Sequence, residues 1–425
     1  MSTNLIPSFS SGAWNEWTPY ENKRPIFENT GDSLKITSTK YSDCGKWICE
    51  FPVTPGENYE ISFDVKTERV EYAASCVRVM AIFFAEGKKD AVLFEYAVDK
   101  TDLGDGWVRY SKYMTAPKAG VAPYSDDATK VVIELLMWNS DDGEVTYKNP
   151  SFVAVEPKKH RLVKVCTTYI NPYTPDSRTY EDRVKKILRT ADEAGAQNPD
   201  IIMFSEFIAT RELNLPREVA AQTIPGPLTD LLAEKARKYN TYIAFNMCEV
   251  EDGYYYNTTA LIDRRGNIAG RYRKVHLTYR ECTSGMTPGR DYPVFETDFG
   301  KIGTVTCFDH FFPESVRQTV INGAELIFVS TAGDGYMQST ARAQDNYVPM
   351  IISCVNHAKM SVWPQSRIVA PDGTILAGTM SDCGAACATI DLDEPYKAFW
   401  FSVGPSYSEK HDIFLAEARP DTYIK

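Results

Sequence analysis

The stretch GTVTCFDHFFPE, residues 303–314, joins a short run of small and β-branched residues to an abruptly polar and aromatic segment. The first four residues favour a buried strand. Cys307 follows at the end of this strand, and Pro313 lies where a helix is expected to begin. A thiol between a strand and a helix is held rigidly at the mouth of a pocket, which is where a nucleophile is needed.

The sequence around this stretch alternates between strand-like and helix-like patterns. Residues 161–170 form a buried-strand pattern, and residues 178–196 form an amphipathic helix pattern. The apolar face of this helix carries Val184, Ile187, Leu188 and Ala191. Strands that alternate with helices predict a layered α/β domain, which we assign to residues 158–425 together with a C-terminal tail.

Residues 1–157 follow a different pattern. Segments such as NYEISFDVKT (58–67) and KVVIELLMW (130–138) are strand-like, and turn sequences separate them without a convincing helical stretch. Many short strands predict an all-β sandwich of two sheets. The charged segment EPKKHR (156–161) marks the predicted boundary between the two domains.

The composition excludes several classes of function. Of the 425 residues, 57 are acidic and 46 basic, and the net charge of −11 disfavours binding to nucleic acids or anionic membranes. The sequence contains no apolar run of the roughly 18–20 residues needed to span a bilayer. Residues 1–12 lack the pattern of a signal peptide, although a leader removed earlier would leave no trace. We therefore predict a cytoplasmic protein.

The ten cysteines are scattered through a chain that is too large to need disulfide staples. Most of them lie in apolar, strand-like runs, where a free cysteine behaves as a small buried hydrophobic residue. Cys44 and Cys49 are close enough in sequence to be bridged, but the pattern favours reduced thiols throughout.

Three charged residues occupy positions similar to that of Cys307. Glu206 follows the apolar strand in DIIMFSEF, where a partly buried carboxyl group can serve as a general base near neutral pH. Lys274 follows the strand in GRYRKVHL and brings a fixed positive charge, and Glu281 comes seven residues later. A thiol becomes a useful nucleophile when a base or a positive charge favours its thiolate.

Other site chemistries fit less well. The sequence has no G-x-S-x-G motif, and its five histidines offer no H-E-x-x-H or C-x-x-C spacing, so we predict no metal site. A Cys307–His310 catalytic dyad remains open, although a residue three positions along a strand turn rarely points back.

The second half resembles the nitrilase, or carbon–nitrogen hydrolase, superfamily over residues 161–394. The matching motifs are FSEF with Glu206, YRKVHL with Lys274 and TCFDHFFPE with Cys307, and Glu281 matches the additional glutamate of the family. The stretch YNTTALID ahead of the lysine supports the match. The resemblance implies a four-layer α-β-β-α sandwich and catalysis without a metal or an organic cofactor.

The resemblance also implies roles for these residues. Glu206 accepts the thiol proton, Cys307 attacks a carbonyl carbon, and Lys274 with the backbone N–H of Phe308 holds the oxyanion. A thioester then remains on the cysteine until water releases the acid. Asp309 and His310, next along the chain, are further candidates for contact with the substrate or the oxyanion.

The expected substrate is a small-molecule amide. Asp309 two residues after the cysteine, followed by Pro313 and Glu314, is typical of amide and carbamoyl cleavers, so N-carbamoyl hydrolysis is the next alternative and nitrile hydrolysis the third. The family also implies a homodimer. Two other hypotheses are acyl transfer to an amine, for which the same residues suffice, and a catalytically idle binding scaffold.

The first half resembles the jelly-roll carbohydrate-binding-module family over residues 4–155, which implies a glycan as a possible partner. Its motif-like pieces are VTPGENYEISFDVKT, GWVRYSKYMTAP and GEVTYKNPSFVAV. Five aromatic residues are candidates for stacking on a sugar ring or for ordinary packing: Trp14, Trp17, Tyr20, Trp47 and Trp138. The alternative is a domain that shields the hydrolase or builds an oligomer.

Overall fold

A computed structural model of the chain describes residues 3–333, 335–355, 365–379, 383–400, 406–419 and 422. The chain forms two compact units. The first unit comprises Met1–Lys159 and Pro395–Lys425, and the second unit comprises His160–Glu394. The predicted boundary after residue 157 lies two residues before the observed one. No helix within the described ranges is both long enough and apolar enough to cross a membrane.

The first unit is built mainly from β-strands. A single-turn helix, α1, spans Ala73–Cys76. The strands of the N-terminal segment are β1 Asn15–Trp17, β2 Ile26–Asn29, β3 Leu34–Thr37, β4 Cys44–Pro52, β5 Asn58–Glu68, β6 Val77–Ala85, β7 Leu93–Tyr96, β8 Asp99–Gly104, β9 Trp107–Thr115, β10 Ala128–Trp138 and β11 Glu144–Ala154. The C-terminal segment adds β24 Lys397–Trp400, β25 Ser406–Glu409 and helix α8 Lys410–Ala416.

These strands form two sheets around one apolar core. One sheet has the order β1-β4-β10-β6-β7-β25-β24, and the other has the order β2-β3-β11-β5-β9-β8. Burial alternates along β4, as expected for a strand with one face toward a core. Trp14 and Trp47, two of the residues considered for sugar stacking, are 6% and 3% exposed and belong to this core. Of the two alternatives for these residues, packing therefore holds for both, because their indole rings lie inside the unit.

The C-terminal segment differs from the prediction, which placed it in the domain of residues 158–425. Strand β25 extends the first unit's sheet by pairing in parallel with β7. Lys112 lies in β9, and its ammonium is 2.9 Å from the Glu409 carboxylate and 2.5 Å from the Asp412 carboxylate. Strand pairing and buried ion pairs therefore join residues 395–425 to the first unit.

The second unit alternates strands with helices, as the sequence predicts. Its strands are β12 Leu162–Ile170, β13 Ile201–Met203, β14 Tyr242–Glu251, β15 Tyr254–Ile262, β16 Ile268–Arg273, β17 Val294–Glu296, β18 Lys301–Thr306, β19 Leu326–Thr331, β20 Met350–Cys354, β21 Ser366–Val369, β22 Ile375–Thr379 and β23 Cys383–Asp391. Its helices are α2 Tyr180–Gly195, α3 Arg217–Ala220, α4 Pro227–Tyr239, α5 Tyr279–Thr283, α6 Pro313–Ile321 and α7 Tyr336–Asn346.

The second unit has four layers. One sheet has the order β16-β15-β14-β13-β12-β23, and the other has the order β17-β18-β19-β20-β21-β22. Apolar side chains of both sheets, including Met203 and Phe328, form a shared core between them. Helices α2 and α4 cover the outer face of the first of these sheets, and α6 and α7 cover that of the second. This is the predicted α-β-β-α arrangement of mixed sheets.

One pair of cysteines departs from the prediction of reduced thiols. Cys166 and Cys387 lie directly opposite each other in the antiparallel strands β12 and β23, with their Cα atoms 4.1 Å apart, and form a disulfide. The prediction fails here because the pairing register of strands 221 residues apart is hidden in the sequence. The other cysteines with described side chains are Cys44, Cys49, Cys76, Cys248, Cys282, Cys307 and Cys354.

Candidate active site

The ends of strands in both sheets of the second unit supply the predicted site residues. Glu206 follows β13 by three residues, and Lys274 directly follows β16 of the same sheet. Cys307 directly follows β18, which belongs to the facing sheet. Glu281 lies in the first turn of α5, where the Thr278 hydroxyl accepts a hydrogen bond from its backbone N–H. Strand ends fix the side chains more firmly than free loops do.

Lys274 is the centre of a buried ion cluster. Its ammonium lies 3.1 Å from Oε1 of Glu206, and 3.0 and 2.9 Å from the two carboxylate oxygens of Glu281. Lys274 is 1% exposed and Glu206 is 2% exposed. Buried charges persist only when they are paired and hydrogen-bonded, and this lysine has two carboxylate partners.

The environment of this cluster keeps both partners charged. Burial would lower the pKa of Lys274, but the carboxylates of Glu206 and Glu281 outweigh it, and the pKa lies above its ordinary value. Burial would likewise raise the pKa of Glu281, but the Lys274 ammonium and the hydrogen bonds from Thr278 and Asn257 hold it below its ordinary value. The lysine therefore remains a cation throughout the physiological pH range.

Asn257, in β15, links the two carboxylates and was not among the predicted site residues. Its side-chain Nδ2 donates to Oε1 of Glu206 over 2.8 Å and to Oε1 of Glu281 over 2.7 Å. Its Oδ1 accepts from Nδ2 of Asn246 over 2.7 Å. Asn257 is fully buried. The signal in the sequence was an amide in the interior of a buried strand, since such a group must find polar partners.

Cys307 occupies a backbone conformation that is rare for residues with a side chain. Its φ angle is +47°, in the left-handed region, at the point where β18 turns into a short 3₁₀ helix over Cys307–Phe311. Strain of this kind persists where the surrounding structure imposes it, and it is concentrated at functional sites. The partly buried thiol interacts with the Thr331 hydroxyl and the backbone N–H of Ala332.

The thiol itself is protonated at rest. Burial raises the pKa of Cys307 to about 11, and the negative charge of Glu206 adds to this rise. The Lys274 ammonium opposes it, as do the Thr331 hydroxyl and the Ala332 N–H. A neutral thiol beside a carboxylate is the starting state that a general-base mechanism requires, because the base takes the proton as the sulfur attacks.

Asp309 lies inside the protein, away from solvent. Its carboxylate accepts hydrogen bonds from the Tyr272 hydroxyl over 2.6 Å, the His276 backbone N–H over 2.7 Å and the Thr306 backbone N–H over 2.9 Å. Asp309 is 0% exposed. Because protein donors already occupy both of its oxygens, it is placed to fix the turn that carries Cys307 rather than to touch the substrate.

The structure separates the two neighbours of Asp309. Phe308 is 37% exposed, and its ring packs against those of Phe311 and Phe312 at centroid distances of 6.1 and 5.1 Å. His310 is fully buried, with its ring 4.5 Å from that of Phe311. Phe308 thus lies on the open side of the turn, and His310 lies on the inner side.

Two clusters of possible metal ligands occur among the described residues. One contains His160, Asp391 and Glu394 of the second unit, and the other contains Glu409, His411 and Asp412 of the first unit. Neither includes a predicted site residue.

The sequence of the chain matches one family model and several known proteins. The family model described as carbon-nitrogen hydrolase matches residues 170–397. A protein named "Probable nitrilase" from Schizosaccharomyces pombe is 31% identical over 256 residues, 56% of this chain and 90% of that protein. An omega-amidase of Xenopus tropicalis is 28% identical, with 56% and 92% covered, and an N-carbamoylputrescine amidase of Solanum lycopersicum is 27% identical, with 63% and 95% covered.

Proposed function

The chain belongs to the carbon-nitrogen hydrolase family, and on that basis we propose that it hydrolyses a small-molecule amide through a thioester on Cys307. The observation that carries this proposal is the buried cluster in which Lys274 contacts Glu206 and Glu281 beside the thiol. A nucleophile, a base and a fixed cation in one place are the groups that acyl transfer requires.

The proposed reaction has two halves. Glu206 accepts the thiol proton while Sγ of Cys307 attacks the carbonyl carbon, and Lys274 with the backbone N–H of Phe308 stabilises the oxyanion. The tetrahedral intermediate breaks its carbon–nitrogen bond, and Glu206 returns the proton to the departing amine or ammonia. Water then attacks the thioester, Glu206 takes its proton, and the acid and the thiol are released. Glu281 and Asn257 orient Lys274 and Glu206 during both halves.

An amide is the favoured substrate class, followed by an N-carbamoyl compound and then a nitrile. The Cys307-Phe308-Asp309 sequence and the later Pro313-Glu314 support this order. Relatives named as an omega-amidase and as an N-carbamoylputrescine amidase are in keeping with the first two classes.

The direct test measures ammonia release from a panel of small amides, N-carbamoyl amino acids and nitriles. We expect release from at least one amide by the wild type and none by Cys307→Ala. Intact-mass analysis during turnover should detect an acyl adduct on the wild type alone. If no compound of the panel released ammonia and no acyl adduct formed, the proposal would be contradicted. Equal ammonia release by Cys307→Ala would exclude the thiol mechanism.

For the first unit we propose a carbohydrate-binding-module-like jelly roll that binds a glycan. Trp17 and Tyr20 are 42% and 66% exposed, and so they remain available for stacking on a sugar ring. Isothermal titration of the full chain against a glycan panel should give heat that Trp17→Ala and Tyr20→Ala reduce. A panel that gives no heat with the wild type would contradict this assignment.

We further propose a cytoplasmic homodimer. The net charge of −11 supports a protein that stays off nucleic acids and anionic membranes. Light scattering should give twice the chain mass of 47.8 kDa, and a value near the single-chain mass would refute the dimer.

A further inference from the structure

The first unit contains a small cavity that neither Trp17 nor Tyr20 lines. Its volume is about 50 Å³, and it is lined by residues of α1, α8, the strands β6, β7, β8 and β9, and the connection from β7 to β8. Arg78, Lys100, Tyr96 and Tyr110 are its polar lining residues. Such a volume has room for a few water molecules or for one small charged group.

Arg78 is buried in this cavity with part of its guanidinium unused. The residue is 4% exposed, and its Nη1 donates to the backbone carbonyls of Ala74 over 2.6 Å and Val77 over 3.1 Å. Its Nε has no hydrogen-bond partner among the described residues. A buried N–H without a partner costs about 1–3 kcal/mol, and more when the group is charged, so this donor calls for an acceptor.

Lys100 brings a second positive charge to the same cavity. Its ammonium lies 4.8 Å from the centroid of the Tyr110 ring, an attraction between a cation and an aromatic face. Lys100 lines the cavity together with Arg78, and although the residue is exposed as a whole, partial desolvation of its ammonium and then the positive charge of Arg78 lower its pKa. Among the described residues, no carboxylate forms an ion pair with either of them.

The carboxylate of Glu417 exerts the strongest electrostatic attraction on Arg78, but it is hydrogen-bonded to another residue. The Tyr96 hydroxyl donates to its Oε1 over 2.8 Å. The cavity thus collects two cations and leaves them without a bonded anion. Arginine is the side chain best suited to carboxylates and phosphates, because its planar N–H groups match their oxygen atoms.

We propose that this cavity binds the anionic head of a small molecule, a carboxylate or a phosphate, between Arg78 and Lys100. The volume admits the head alone, so the rest of such a ligand would extend outward past Lys100, the exposed member of the pair. Tyr96 and Tyr110 form the walls. This site is independent of the proposed hydrolysis at Cys307, since it lies in the other unit.

The test is titration calorimetry on the full chain with sodium phosphate, sodium acetate and sodium glucuronate, each compared with sodium chloride at equal ionic strength. We expect saturable binding of at least one of the three probes. Binding of phosphate alone would identify a phosphate head, and binding of acetate or glucuronate would identify a carboxylate. No saturable heat from any probe would overturn the proposal.

The variants locate the binding. Lys100→Gln should weaken binding at least about tenfold, because it removes one charge-assisted contact. Lys118→Gln removes an exposed lysine elsewhere in the first unit and should change the affinity less than twofold. Glu417→Gln removes the competing negative charge and should tighten binding. Unchanged affinity in Lys100→Gln, or weaker binding in Glu417→Gln, would each refute the site. None of these variants removes the Arg78 bonds that hold α1.

Discussion

Replacing Glu206 with glutamine tests how the buried carboxylate acts on the thiol. In the wild type, burial and Glu206 raise the pKa of Cys307 to about 11, so only about one thiol in 10,000 is ionised at pH 7. A nearby charge moves a pKa by about 1–3 units, so the thiolate fraction of Glu206→Gln should rise about 10- to 1,000-fold. Nucleophilicity falls with pKa, with a slope of about 0.4–0.5, which leaves a net gain in reaction rate of about 3- to 50-fold.

The assay is alkylation by iodoacetamide, followed at each cysteine by peptide mass spectrometry. Cys282 is exposed and serves as the internal reference within the same sample. We expect Cys307 of Glu206→Gln to react faster at pH 7 than that of the wild type, while hydrolysis of the best amide is lost together with the base. Faster alkylation combined with lost turnover separates a base from a group that merely supports the fold.

Glu281→Gln is the matched control, because it removes the other carboxylate bonded to Lys274. Its effect on Cys307 alkylation should be smaller, since Glu206 is the carboxylate that acts on the thiol. The reasoning would fail if alkylation in Glu206→Gln were unchanged or slower. It would also fail if the wild-type rate levelled off near pH 8.5, the midpoint of an ordinary cysteine.

Three further changes have defined outcomes. Asn257→Leu removes the hydrogen bonds of 2.8 and 2.7 Å to the carboxylates of Glu206 and Glu281, each worth about 1.5–3 kcal/mol. This variant should lower kcat/KM for the best amide by at least about 100-fold, and a loss below tenfold would contradict the role of Asn257. Asp309→Ala leaves the Tyr272 hydroxyl and two backbone N–H groups without their acceptor, so its Tm should fall and its alkylation at Cys307 should change; an unaltered Tm would argue against the positioning role. Lys112→Met leaves the buried Asp412 carboxylate without its ion pair and should reduce the free energy of unfolding, measured by urea titration, by about 3–5 kcal/mol. Lys130→Met removes only the exposed ion pair with Glu50 and should reduce it by less than about 1 kcal/mol, so similar losses in both variants would refute the ion-pair argument.

Three of the site residues could be predicted because the ends of strands can be recognised in a sequence. A strand-like run that stops at a polar residue predicts where the backbone leaves a sheet. Glu206 and Cys307 follow largely apolar runs of this kind, whereas Lys274 follows the alternating strand that ends in GRYR. The structure brings the first two within 3.1 Å of each other and places the thiol within their electrostatic reach. The α/β alternation likewise predicted the layers, since burial of one helix face is periodic in the sequence.

Other features depend on contacts that periodicity does not encode. Asn257 lies in the middle of β15 in a strand pattern, and only the folded chain shows which carboxylates its amide meets. The pairing of Cys166 with Cys387 depends on strand register. Residues 395–425 carry too short a pattern to reveal which sheet they extend. Asp309 was considered for substrate contact because it is close in sequence to Cys307, whereas its carboxylate points into the protein.

The first unit is split along the chain, and this has consequences for its synthesis. On the ribosome, β7 emerges long before β25, so its free edge stays open while the whole second unit is translated. Open edges invite pairing with other chains, and contacts between distant segments form slowly. A clone that stops at the end of the second unit would leave that edge permanently uncovered. Expression of the first unit alone therefore calls for a gene that keeps both segments, with a short linker from Lys159 to Pro395 in place of the second unit.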